Sequence, residues 1–115
     1  MKDKDCIFCK IIVGEIPSKK AFEDDDLYAF HDINPQAPTH ILICPKKHID
    51  RVANLTEADE LLMGKVIYCS KELARDFKIS DGFRLAFNNG LSAGQSVWHI
   101  HAHLLGGRPF TWPPG

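Results

Sequence analysis

The run His99-Ile100-His101-Ala102-His103-Leu104-Leu105 constrains this chain more than any other stretch. Successive side chains of an extended strand point to opposite faces. A period of two therefore puts His99, His101 and His103 on one face and Ile100, Ala102 and Leu104 on the other. Neighbouring imidazoles then stand about 6.6 Å apart, at a rise of about 3.3 Å per residue. Such a strand has a core side and a chemical side. Two histidines at this spacing suit a metal ion. Three of them follow the small polar loop Gly90-Leu91-Ser92-Ala93-Gly94-Gln95-Ser96. Loops of that kind present backbone N–H groups to anions, which points to phosphorus chemistry.

The other elements follow from pattern. Cys6 to Ile12 reads as a short helix ending at Gly14. Lys20–Glu23 and Leu27–Ile33 read as strands joined by an acidic, solvated hairpin turn at Glu23-Asp24-Asp25-Asp26. Asn34 to Pro38 is a loop, and Thr39–Pro45 a buried strand. Ile49–Ala53 suggests a helical turn. Thr56, followed by Glu57 and Asp59, marks a helix start. Leu61, Leu62, Val66, Cys69, Leu73 and Phe77 recur every three or four residues and carry that helix to about Phe77. Phe83–Asn88 is the fourth strand and the histidine run the fifth. Strands, a helix, then strands on short turns predict an α+β domain spanning residues 1–115, with helices on one face of an antiparallel sheet.

A formal net charge of −1 supplies no bulk attraction to nucleic acid or anionic membrane, and neither is expected as a partner. No apolar run approaches membrane-spanning length. Met1-Lys2-Asp3-Lys4-Asp5 has no signal-peptide apolar region, so a cytoplasmic protein is expected, with thiols rather than disulfides. Cys6-Ile7-Phe8-Cys9 is then a redox pair, half of a zinc site or two buried thiols. Cys44 and Cys69 fall in apolar stretches and read as core. Asp32 shares a strand face with Phe30. It either begins the Asn34-Pro35 turn or accepts hydrogen bonds from a ribose beside an aromatic base platform.

The histidine run, Phe30-His31-Asp32-Ile33-Asn34-Pro35-Gln36-Ala37-Pro38-Thr39-His40, Pro45-Lys46-Lys47-His48, Gly94-Gln95-Ser96-Val97 and Trp112-Pro113-Pro114-Gly115 occur in that family's order and together resemble the histidine triad (HIT) nucleotide hydrolases and transferases. The nearer likeness is to their nucleotide-binding, Hint-like branch. The resemblance implies a five-stranded antiparallel sheet with one long and one or two short helices, pairing across a homodimer. It implies a purine nucleoside phosphoramidase in which His101 attacks phosphorus, His103 donates to the leaving atom and His40 orients or relays; a purely structural His40 is the alternative. Ile7, Phe8, Ile11, Ile16, Phe30 and Leu42 would hold the base, Asp32 would accept from the ribose hydroxyls, and His31 and Ile33 would belong to the same nucleotide-binding set. Asn88, Gln95, Ser96 and the amides from Gly94 to Ser96 would hold phosphate oxygens. Cys6, Cys9, His48 and His99 would bind a structural zinc, with no organic cofactor. Dinucleoside polyphosphate hydrolysis, nucleotidyl transfer and a regulatory nucleotide-binding role are the rival readings.

Overall fold

A computed structural model describes residues 5–115; the first four residues, on which much of the signal-peptide reading rests, lie outside it. Helix α1 (Ile7–Ile12) precedes strands β1 (Lys20–Glu23), β2 (Leu27–His31) and β3 (Thr39–Pro45). Helix α2 (Glu60–Asp76), β4 (Phe83–Ala86) and β5 (Ala102–Gly106) follow. All pairings are antiparallel, in the order β1-β2-β3-β5-β4. This is the expected five-stranded α+β fold. Among the described residues no helix is long and apolar enough to cross a membrane.

The period of two sorts the sheet into two cores. Leu27 and Ala29 of β2, Ile41 and Ile43 of β3, and Ala102 and Leu104 of β5 pack against Val66, Cys69, Leu73 and Ala74 of α2. The alternate residues Tyr28, Phe30, Leu42 and Cys44 pack against Cys6, Phe8, Cys9 and Ile11 at α1. The helices therefore cover opposite faces, not one. The short helix has its own apolar stripe, and the even-numbered residues of β2 and β3 give it a second core to bury against.

Local chemistry fixes the turns. Asp24 Oδ1 accepts from the N–H groups of Asp26 (2.9 Å) and Leu27 (2.7 Å), so the acidic run is a turn, as expected. Thr56 caps a 3-10 turn, Glu57–Asp59, that leads into α2. Asp59 Oδ2 accepts from Thr56 N at 3.0 Å, which completes the N-terminal cap. The helical stripe is narrower than the sequence suggests: Leu61 is 85% exposed and Phe77 37% exposed.

Three strands are shorter than expected: β2 ends at His31, where Asp32 turns the chain by accepting from Asn34 N, and β4 and β5 are also cut short. β4 stops at Ala86, leaving Asn88 beyond it. β5 begins only at Ala102, so His99 and His101 precede the ladder. The β3–β5 register pairs Ile43 with Ala102. Continuing it would reach Pro45, which has no N–H to give. The Pro45 carbonyl is instead taken by the His99 ring, and Ile100 N bonds to Ile49 O at 2.6 Å.

Candidate functional site

The α1 face of the sheet holds the chemistry. Three histidines reach it along adjacent backbone, and each is fixed differently.

His99 is fully buried. Its Nε2 lies 2.7 Å from the Pro45 carbonyl, which can only accept, so Nε2 carries the proton. The bare Nδ1 then faces Cys6 Sγ (3.3 Å), Cys9 Sγ (3.5 Å) and His48 Nδ1 (3.2 Å). Cys9 Sγ lies 3.4 Å from His48 Nδ1, and one ligand atom from each of the four residues falls within 4.8 Å of the rest. Bonds of about 2.3 Å to sulfur and about 2.05 Å to nitrogen give a zinc tetrahedron edges of about 3.3 to 3.8 Å. The four atoms thus stand close to the vertices that S₂N₂ coordination needs. The Pro45 bond is the kind of outer contact that aims a ligating imidazole. Burial pushes the His99 ring down to about 4 and the Cys6 thiol up to about 11.

His101 donates from Nδ1 to the His99 carbonyl at 2.7 Å, which leaves Nε2 bare. Burial lowers its pKa, opposed by that carbonyl bond and by Asp32. The ring is therefore neutral at neutral pH, the form in which an imidazole is a nucleophile.

His103 sits on β5 opposite Leu42 of β3. Its Nδ1 lies 2.9 Å from His40 Nε2. His40 Nδ1 accepts the Gln36 N–H at 3.0 Å, so the neutral His40 ring holds its proton on Nε2. That proton is donated to His103 Nδ1, which puts the His103 proton on Nε2. Burial, with His101 and His40 nearby, pushes His103 down to about 4, while burial also lowers His40. Asp32 Oδ2 stands 3.4 Å from His40 Nε2. Asp32, His40 and His103 are close enough to chelate a metal. The Gln36 bond argues otherwise, because it leaves a proton on the His40 nitrogen that a metal would need. This group is a hydrogen-bond chain.

These rings open onto a cleft of about 390 Å³. Ile7, Phe8, Ile11, Ile16, Phe30 and Leu42 line it, together with His31, Asp32, Ile33, Ser96, His101 and His103. The structure thus brings together the expected base-binding residues, Asp32 and two triad histidines. Phe8 meets His101 edge-on at 4.9 Å and Phe30 at 5.3 Å, so the apolar wall abuts the candidate nucleophile. Asp32 begins the Asn34-Pro35 turn and also stands at the cleft. Oδ1 accepts from Asn34 N at 2.8 Å and turns the chain, while the residue still lines the cleft. Ile33 is 99% exposed and only edges it. Pro17, Ser18 and Val97 also line the cleft and are not assigned from sequence; the Ile16-Pro17 pair is the one signal that could have placed Pro17.

The loop before the histidine run divides its polar groups between its own turn and the cleft. Asn88, Gly94 and Gln95 are not among the cleft-lining residues. Gln95 is buried, its Oε1 accepting from Gly90 N (2.9 Å) and its Nε2 donating to Asp50 O (2.7 Å) and Val97 O (3.0 Å). The amides of Gly94 and Gln95 bond to the carbonyls of Leu91 and Gly90 within the turn. Gly94, at φ +90, closes that turn in the left-handed region that favours glycine. Gln95 therefore shapes the loop, and Ser96 is the member of this set that reaches the cleft. A larger groove of about 710 Å³, between Phe22 and the outer face of α2, contains no histidine and is remote from this chemistry.

Comparison with known proteins agrees with the geometry. The HIT domain family model matches residues 13–110. The crystal structure of a HIT family hydrolase from Legionella pneumophila superposes with a TM-score of 0.95 at 51% identity, covering 96% of this chain and all of that one. A 14 kDa zinc-binding protein of Zea mays is 49% identical over 100% of this chain and 91% of its own length. An Arabidopsis thaliana protein named adenylylsulfatase HINT1 is 47% identical over 98% of this chain and 78% of its own.

Proposed function

The chain belongs to the HIT family, and on that premise we propose that it is a nucleotide hydrolase cleaving the P–N bond of purine nucleoside 5'-phosphoramidates. The observation that carries this reading is the opposed protonation of two neighbouring rings: His101 offers a bare Nε2, and His103 carries a proton on its own. An amine is a poor leaving group and needs such a proton.

The base lies among Phe8, Ile11, Phe30 and Leu42, with the ribose hydroxyls donating to Asp32. His101 Nε2 attacks phosphorus, and Ser96 donates to a non-bridging oxygen. The P–N bond breaks as His103 passes its Nε2 proton to the departing nitrogen. The negative charge left on His103 is balanced by the positive charge that the His101 ring acquires on bonding to phosphorus, and the hydrogen bond from His40 Nε2 stabilises it. Water then attacks the nucleotidyl-histidine, its hydroxyl going to phosphorus and its proton back to His103. The sum is one water consumed, with amine and nucleoside monophosphate released. Splitting one displacement into two is the gain of covalent catalysis.

Cys6, Cys9, His48 and His99 would hold zinc. Four protein ligands leave no position open, so the ion would tie α1 to the segment before β5 and take no part in the displacement. Thiolate ligands keep best in a reducing compartment, and the cytoplasm is the proposed setting.

Pairing as a homodimer at the β4 edge is proposed on the position of that strand. Arg84 on β4 donates to Thr111 O at 2.9 Å, which holds the tail bearing Trp112, 84% exposed, along the same edge. A sedimenting dimer whose leaving-group preference changes when residues 110–115 are deleted is expected; a monomer with unchanged preference rejects it.

A second reading is cleavage of adenylyl sulfate, suggested by the name of the Arabidopsis relative. It uses the same nucleophile, but sulfate departs without a proton. Turnover of adenosine phosphoramidate, adenylyl sulfate and a dinucleoside polyphosphate at equal enzyme tests the choice. The phosphoramidate should give the highest kcat/KM; preference for either rival overturns the assignment.

A further inference from the structure

Arg108 lies on the exposed turn after β5, outside the cleft. Its Nε donates to the Gln36 carbonyl at 2.9 Å, and its Nη1 to Pro109 O at 2.9 Å. Gln36 is also the residue whose N–H reaches His40 Nδ1 at 3.0 Å. From this mechanism of proton placement we infer that Arg108 is a positioning residue for the proton-donating end of the site, acting through Gln36 and His40 on His103; the inference rests on the proposed role of His103.

Three features hold Arg108 to this task. Its guanidinium stacks on Phe110, 4.4 Å from the ring centroid. Arg84 covers the same ring at 5.0 Å and bonds to Thr111 O. Two cations, one from β4 and one from the turn after β5, thus hold one aromatic ring, each attracted by the ring's electron density. The backbone cooperates. Gly107 has φ +94, and a Cβ placed on it would lie 2.9 Å from Pro38 Cβ. Only glycine lets this turn press so closely on the 36–38 loop.

The consequence is electronic. An imidazole of His40 that loses the Gln36 N–H is free to move its proton to Nδ1. Nε2 then no longer donates to His103 Nδ1, and the His103 proton is no longer fixed on the nitrogen that meets the leaving group. Arg108 holds the Gln36 carbonyl, one peptide unit beyond the N–H that meets His40, and so keeps Gln36 in the position that selects the productive tautomer.

The test combines nitrogen NMR of His40 and His103 with kinetics on two phosphoramidates, one releasing an alkylamine and one an electron-poor arylamine that departs without full protonation. Arg108→Met keeps an aliphatic stem over Phe110 but cannot donate. It should shift His40 from the Nε2–H form to a tautomer mixture. It should lower kcat for the alkylamine substrate about tenfold, less than the loss from removing a proton donor outright, and spare the arylamine substrate within about twofold. Arg108→Lys, which still donates, should recover most of both. Unchanged tautomers, or an equal fall for both leaving groups, overturns the role. If the wild-type protein turns over neither substrate, the phosphoramidase reading falls, while the tautomer measurement still decides whether Arg108 positions His40.

Discussion

His99 and His101 are joined through the backbone: the His99 carbonyl accepts the His101 Nδ1 proton at 2.7 Å, while the His99 ring faces Cys6 Sγ at 3.3 Å. One residue thus sets the tautomer of the candidate nucleophile and belongs to the candidate metal centre. Whatever holds the His99 ring also holds the carbonyl that aims His101.

Zinc should consequently act on shape. Purified protein should carry about one zinc per chain in S₂N₂ geometry. Cys9→Ser should lower metal content and thermal stability and weaken nucleotide binding, because α1 carries Phe8 and Ile11 of the cleft. Metal analysis under reducing, chelator-free conditions checks this. Zinc-supplemented protein that stays metal-free and fully active contradicts it.

The pH dependence has a definite sign. His101 and His103 are buried with lowered pKa values, His103 to about 4. The free enzyme should stay active below the ordinary histidine value of about 6.5, the acid limb of kcat/KM lying between that and about 4. Metal-free protein should also lose stability over this window as pH falls. The unfolded histidines bind protons there and the folded ones do not, so stability rises with pH from about 4 to about 6.5. An acid limb at or above 6.5 contradicts the burial argument.

Asp32→Asn should weaken ribonucleotide binding more than 2'-deoxynucleotide binding. A hydrogen bond to a charged group is worth about 1.5–3 kcal/mol, or about tenfold to a hundredfold in affinity. Calorimetric titration with both sugars is the measurement. Equal losses would leave Asp32 with only its turn at Asn34.

Most of this architecture is legible in alternation. Leu27/Ala29 against Tyr28/Phe30, and Ile41/Ile43 against Leu42/Cys44, divide between two cores as a period of two requires. What alternation hides is what lies across each strand. Nothing local to His99 says that Pro45 ends its ladder, so the strand reads three residues too long. Gln95 is a polar residue in a phosphate-like loop; that its side chain is consumed by Gly90, Asp50 and Val97 depends on contacts up to 45 positions away. Asp32 reads two ways because its carboxylate both turns the chain at Asn34 and borders the cleft. The Gln36–His40–His103 chain is invisible in sequence because a tautomer is set by a backbone N–H whose direction only the fold decides.

In the proposed mechanism His101 forms a covalent bond to phosphorus. Rapid-quench intact-mass measurement with a slowly hydrolysed adenosine phosphoramidate, followed by peptide mapping, tests it most directly. An added nucleoside monophosphoryl group is expected on His101 and absent from His101→Ala, whose turnover should be abolished. An adduct on another residue, or His101→Ala retaining more than about a tenth of the wild-type rate, would contradict it.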